Sequence, residues 1–238
     1  GLSYGFLEPA DGPYHRLNVS DGLDQPGLGI DENLERIAAA GLAFAPGTGW
    51  SYSVSYDVLG AVIQRAAGRS LPDVVRKRVT APLAMDDTGF AVADRSRLAR
   101  AYAASHPEPV AMHDGIEVPF FDTAATFAPG RILDPGSYPS GGAGMAGTAG
   151  DVMRFLDCIR AGGSPVLSRA SVEAMAADRV GSHPQALGPG WGFGLGWAVL
   201  IDPAAAETPQ SQGTLRWGGA YGHSWFIDRQ RELTVVAL

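Results

Sequence analysis

The stretch Pro46-Gly47-Thr48-Gly49-Trp50-Ser51-Tyr52-Ser53 runs directly into a helical pattern, Val58, Leu59, Val62, Ile63 and Ala66, closed by Gly68. Proline and glycines make a sharp loop, and apolar residues three and four apart make a helix with one apolar stripe. The phenol of Tyr52 stands at their junction, a sound geometry for presenting a base. A phenol titrates near ~10 on its own and needs a neighbouring cation to favour the phenolate. Lys77 is the only lysine and sits between Arg76 and Arg78 in a helical pattern, so that cation has to come from elsewhere. On spacing alone, a tyrosine packed under a turn with its hydroxyl on a backbone carbonyl is the simpler account.

Outward from this junction the chain reads as helices first and strands last. Residues 1–30 are rich in Gly, Pro and Asp and read as loop. Asp31 is the expected N-cap of a helix carrying Leu34, Ile37 and Ala38, ended by Gly41. Ser70 is expected to cap the next, with Pro72 in its first turn and Val74, Val75 and Val79 following, until Pro82 interrupts. Residues 86–147, full of glycine, proline and small side chains, read as a long irregular excursion. Thr148 with Asp151 three residues on resembles a capping box and opens a helix through Ile159. A further helix is expected from Ser168 to about Asp178. After Gly190 the pattern changes, and Trp191–Ile201, Thr214–Trp217, His223–Ile227 and Leu233–Leu238 read as strands. The short polar link Asp228-Arg229-Gln230-Arg231 fits a hairpin. The expectation is an α+β chain: a mostly helical region with long loops over residues 1–189, and antiparallel strands over residues 190–238. No repeat and no linker separates independent domains.

Composition narrows the function. With 45% hydrophobic and 18% charged residues the chain is globular. A formal net charge of −7 argues against a nucleic-acid surface. No apolar run is long enough to cross a membrane. The one cysteine, Cys158, lies in a helical pattern and reads as a buried, inert thiol. Gly1 follows no targeting segment, and Leu233–Leu238 reads as a strand with no turn signal beyond it, so the chain is expected to be cut at both ends.

A second constellation is Trp217-Gly218-Gly219-Ala220. A strand that ends in two glycines leaves backbone N–H groups unshielded, and one of them can face a developing oxyanion. A hairpin turn using glycine for positive φ is the plainer explanation. His223 follows in Gly222-His223-Ser224-Trp225, where it can line a pocket or simply hydrogen-bond. Gly222-x-Ser224 fails as a nucleophile elbow, because Phe226 replaces the closing glycine and a strand follows instead of a helix. His106, Glu108, His113 and Asp114 have no metal-ligand spacing and read as a solvated loop, so no metal is expected there. Gly141-Gly142-Ala143-Gly144-Met145-Ala146-Gly147 lacks the lysine of a phosphate loop and reads as a tight turn. Of the 5 tryptophans, Trp191, Trp197, Trp217 and Trp225 fall among the strands as core candidates, some of them able to form an apolar acyl pocket.

Together these segments resemble the class C β-lactamase-like serine hydrolases, and among them the family VIII carboxylesterases. Gly1-Leu2-Ser3-Tyr4 resembles the end of a His-Thr-Ser-Gly-Leu stretch, and Pro46 to Ser53 resembles Pro-Gly-x-x-x-x-Tyr-Ser. Pro82-Leu83-Ala84-Met85-Asp86-Asp87-Thr88-Gly89-Phe90 resembles Pro-Leu-Gly-Met-x-x-Thr-x-Phe. Ser140 to Met145, before Thr148-Ala149-Gly150-Asp151, resembles the stretch ahead of a later helix, and Trp217-Gly218-Gly219 occupies the place of Lys-Thr-Gly. The resemblance implies a β-lactamase/penicillin-binding-protein-like fold and hydrolysis of a small-molecule ester through an acyl-enzyme, with no cofactor. It implies Tyr52 as the base, the Ala220 N–H as one oxyanion donor, and Tyr4, Trp217, Gly218, Gly219 and His223 around the substrate.

The departures are informative. Val54 stands where the β-lactamases carry the Asn of Tyr-x-Asn, and Trp217-Gly218-Gly219 lacks the cation of Lys-Thr-Gly. Both changes favour neutral esters over penicillins. Because Val74 lies three residues before Lys77, no Ser-x-x-Lys occurs in these 238 residues. The nucleophile segment is expected before Gly1. Losing it lowers turnover on the order of a million-fold, so the chain alone is expected to be inert and poorly soluble while its parent is active. The alternatives are a β-lactamase or D-amino peptidase, and an inactive relative that only binds a ligand.

Overall fold

The computed structural model describes residues 1–181 and 188–238. They form two compact units, one of Gly1–Val74 with Gly89–Ala146 and one of Val75–Thr88 with Gly147–Leu238.

The first unit holds α1 (Pro13–Arg16), α2 (Ile30–Ala40), α3 (Ser55–Ala67) and most of α4 (Leu71–Val75). Helix α2 begins two residues earlier than expected. Gly29 is its N-cap, and Asp31 falls in the first turn, where a carboxylate favours the positive end of the helix dipole. Gly68 ends α3 in the left-handed conformation, as the pattern predicts. Ser70 caps α4 by accepting from the Asp73 N–H at 3.2 Å.

Helix α3 departs from its apparent stripe. Leu59 and Val62 are 49% and 54% exposed, while Asp57, Gly60 and Ala61 face inward. The buried face is therefore small and polar. The excursion after residue 86 also has more order than its composition suggests. It contains β1 (Tyr102–Ala103) paired with β2 (Val110–Ala111), and β3 (Ile116–Phe120) paired antiparallel with β4 (Thr123–Phe127). The β3–β4 hairpin is pinned to the start of the chain, where the Thr123 hydroxyl donates to the Phe6 carbonyl and Phe6 packs edge-on against Phe120.

The second unit is a five-stranded antiparallel meander covered by α5 (Ala149–Arg160) and α6 (Arg169–Ala176). Its strands are β5 (Trp191–Phe193), β6 (Ala198–Leu200), β7 (Leu215–Gly218), β8 (Ser224–Asp228) and β9 (Leu233–Ala237), in that spatial order. Alternation places Trp197 and Val199, then Leu215, then Ile227 on one face, where they bury against Leu156, Ile159 and Val172 of the helices. The expected single strand Trp191–Ile201 is instead two. Gly194-Leu195-Gly196 turns the chain, with the Gly194 N–H on the Trp197 carbonyl at 2.8 Å. The same turn closes the end of α6, because the Met175 carbonyl accepts from the Leu195 N–H at 3.0 Å and from the Trp197 indole at 3.1 Å.

Thr148 caps α5 by accepting from the Asp151 N–H, but Asp151 does not complete a box. Its buried carboxylate accepts from the Asp87 N–H and the Thr88 hydroxyl, each at 2.9 Å, and pairs with Arg154 at 2.6 Å. The Pro82–Phe90 motif is thus tied to α5 through Asp151. Cys158 is buried, and burial raises its thiol above the ordinary range.

Candidate active site

Tyr52 lies outside regular secondary structure, two residues before Val54, the N-cap of α3. The Val54 N–H donates to the Ser3 carbonyl at 3.2 Å, which sets the Tyr52 segment beside the segment of Tyr4. Their rings meet at 4.9 Å between centroids, tilted by 54°. Tyr4 is buried and also stacks on Phe6 at 4.6 Å. Tyr52 itself is half-buried. Burial holds the Tyr4 phenol well above its ordinary range, and charge on Tyr52 or Asp57 pushes it further. Burial also raises Tyr56 and Tyr138. These three phenols stay protonated.

Beneath this pair lies a polar cluster that the sequence pattern did not single out. Asp57, 1% exposed, accepts from Ser140 Oγ at 2.6 Å, from the Gly142 N–H at 3.1 Å and from the Tyr138 hydroxyl at 3.1 Å. Burial raises its carboxyl, against the pull of those three hydrogen bonds. Tyr138 also receives Asn33 Nδ2 at 3.3 Å and lies under the Arg131 guanidinium at 4.4 Å. Nothing local marks Asp57, because its donors come from 81 to 85 residues further on.

In the second unit, Trp217 and Gly218 end β7, and residues 219–223 turn the chain into β8. The hairpin reading is correct, although the glycine with positive φ is Gly222. Gly219 donates to the His223 carbonyl at 2.9 Å and accepts from the Gly222 N–H at 3.0 Å, which puts Ala220 second in a β-turn. Gly218 and Gly219 are small for reasons of space. A β-carbon on Gly218 would stand 2.5 Å from the His223 carbonyl oxygen, and one on Gly219 would stand 2.6 Å from His223 Nδ1. Gly218→Ala is therefore expected to destabilise by about 1–3 kcal/mol. Gly219→Ala is expected to destabilise less, because an imidazole can swing aside where a backbone oxygen cannot; denaturation midpoints of the two variants test this order.

Among the described residues, nothing accepts a hydrogen bond from the Ala220 N–H. Trp217 is half-buried, edge-on to Phe193 at 5.0 Å, and His223 is exposed. Ser224 sits inside β8, paired with Gly218 and Ala237, where no elbow forms. Asp114 is engaged with the Gly130 N–H at 2.6 Å. Among the described residues no group of three or more His, Cys, Asp or Glu is arranged to hold a metal ion.

Helices together with a helix-covered antiparallel sheet are the architecture of the β-lactamase-like class. The chain belongs to the Beta-lactamase family, which matches it over residues 2–238. It is 52% identical over 241 residues to Esterase EstB of Burkholderia gladioli, taking in 100% of this chain and 61% of EstB. It superposes on EstCE1, a hydrolase with promiscuous acyltransferase activity, with a TM-score of 0.96 and 45% identity over 100% of this chain and 63% of that one. Simvastatin synthase (LovD) of Aspergillus terreus shares the fold at a TM-score of 0.72 and 20% identity, over 100% of this chain and 60% of LovD. The chain thus spans about three fifths of the length of these relatives. The expected family and the α+β, β-lactamase-like fold are both borne out.

Proposed function

We propose that this chain carries the base and one oxyanion donor of a serine carboxylesterase that acts through an acyl-enzyme. The 52% identity to Esterase EstB is the observation that carries this reading. A serine in a Ser-x-x-Lys segment, which these residues do not contain, attacks the ester carbonyl. Lysine and Tyr52 take its proton and pass it to the leaving alcohol. Water then releases the acid and restores the serine. The Ala220 N–H and the nucleophile's own N–H face the oxyanion.

The half-buried indole of Trp217 offers apolar surface where the β-lactamases have a lysine, which favours substrates without a carboxylate. In the first unit Tyr4 backs Tyr52, and in the second Gly218, Gly219 and His223 are the proposed substrate-contacting residues. The test is to give a polypeptide joining this chain to a Ser-x-x-Lys segment short p-nitrophenyl esters and a chromogenic cephalosporin. A burst of p-nitrophenol followed by steady turnover, with the cephalosporin much slower, is expected. Faster cephalosporin cleavage would point to a β-lactamase, and no burst with either would point to a relative that only binds.

A further inference from the structure

We infer that Asp57 is a positioning residue for Tyr52, acting through the Ser140–Gly142 loop and the ring of Tyr4. The inference rests on the proposed role of Tyr52 as base. Asp57 is five residues past Tyr52, on the inward face of the first turn of α3. Its three hydrogen bonds come from one distant segment, Tyr138 to Gly142. They press that loop onto the helix start, where a β-carbon on Gly141 would collide with the Tyr56 carbonyl. They also hold Gly142 against Tyr4, where a β-carbon would stand 2.9 Å from the phenol oxygen. Tyr4 in turn forms the wall on which the Tyr52 ring rests at 4.9 Å. Asp57, the loop, Tyr4 and Tyr52 therefore make one continuous chain of contacts.

The choice of residue supports this role. Burying a carboxylate is unfavourable unless it is well hydrogen-bonded, and an apolar side chain fills space as well. What a carboxylate adds is direction, because three donors aimed at two oxygens fix how the loop lies. Asp57 Oδ1 takes both loop donors, and Oδ2 takes the Tyr138 hydroxyl. An asparagine can keep both Oδ1 bonds, while alanine keeps none.

The experiment measures kcat per active site titrated by the burst, KM and the thermal midpoint, in the polypeptide that joins this chain to a Ser-x-x-Lys segment. Asp57→Ala is expected to lower kcat by about 10–100-fold with KM nearly unchanged, the effect of a misplaced catalytic group. Asp57→Asn is expected to recover most of that loss. Ser140→Ala removes one donor to Asp57 and the acceptor of the Ala143 N–H, and leaves Asp57 its bonds from the Gly142 N–H and the Tyr138 hydroxyl. It should give a smaller fall in kcat, and it keeps the test alive if Asp57→Ala does not fold. A lowered thermal midpoint with wild-type kcat per titrated site in Ser140→Ala and the folded Asp57 variants would overturn the inference, as would an Asp57→Asn loss equal to that of alanine. Tyr52→Phe separates the two levels. If it stays active, the base assignment has failed; if it is inactive while Asp57→Ala and Ser140→Ala turn over normally, only the positioning role has failed.

Discussion

Replacing Tyr52 by phenylalanine in a polypeptide that joins this chain to a Ser-x-x-Lys segment is expected to lower kcat on short esters by about 10²–10⁴-fold, the usual worth of a positioned base. The ring is retained, so the contact with Tyr4 at 4.9 Å survives and the fold around α3 stays intact. Only the phenol oxygen is lost. An interaction made in the transition state lowers kcat and kcat/KM together, so KM should hardly move. Steady-state rates across a range of ester concentrations measure both quantities. An unchanged kcat would remove Tyr52 from the reaction. The three raised phenols, Tyr4, Tyr56 and Tyr138, would make poor substitutes because burial keeps each of them protonated.

Ala220→Pro is expected to lower kcat by about 10²–10³-fold, the effect of deleting one oxyanion donor. Proline removes a single N–H and little else at this position. Ala220 is second in the Gly219–Gly222 turn, where proline is favoured, and both hydrogen bonds that close the hairpin belong to Gly219 and Gly222. The turn should therefore persist, which the far-ultraviolet spectrum and thermal midpoint check. Ala220→Gly keeps the amide and should keep the rate. If proline and glycine behave alike, the oxyanion is stabilised by some other donor.

Much of the fold could be read locally. Gly68, Ser70 and Thr148 act within one turn of their own helices, and the chain order displays their signals directly. The loop-to-helix junction at Tyr52 and the diglycine at the end of β7 are likewise local. What escaped reading depends on distant partners. The inward face of α3 is chosen by Asp57 and small residues because the Tyr138–Gly142 segment docks there, and no periodicity within α3 reports that. Leu59 and Val62 suggested the opposite face. Pro119 within Ile116–Phe120 hides a strand, since proline ordinarily weakens one, yet β3 pairs with β4 over five residue pairs. Gly194 and Gly196 did signal a turn, but the apolar run from Trp191 onward masked it. Both β5 and β6 are buried throughout, so alternation is lost and only the glycines mark the reversal.

The carbonyl of Met175 ties that reversal to helix α6. The helix ends at Ala176 and passes into extended chain at Ala177, without a left-handed terminal residue. Its closure is borrowed from Leu195 and Trp197, about twenty residues away in sequence. Fraying of the helix end therefore requires the β5–β6 corner to open as well. The two form one cooperative opening unit, and a change at that corner is transmitted to a helix whose own sequence is untouched.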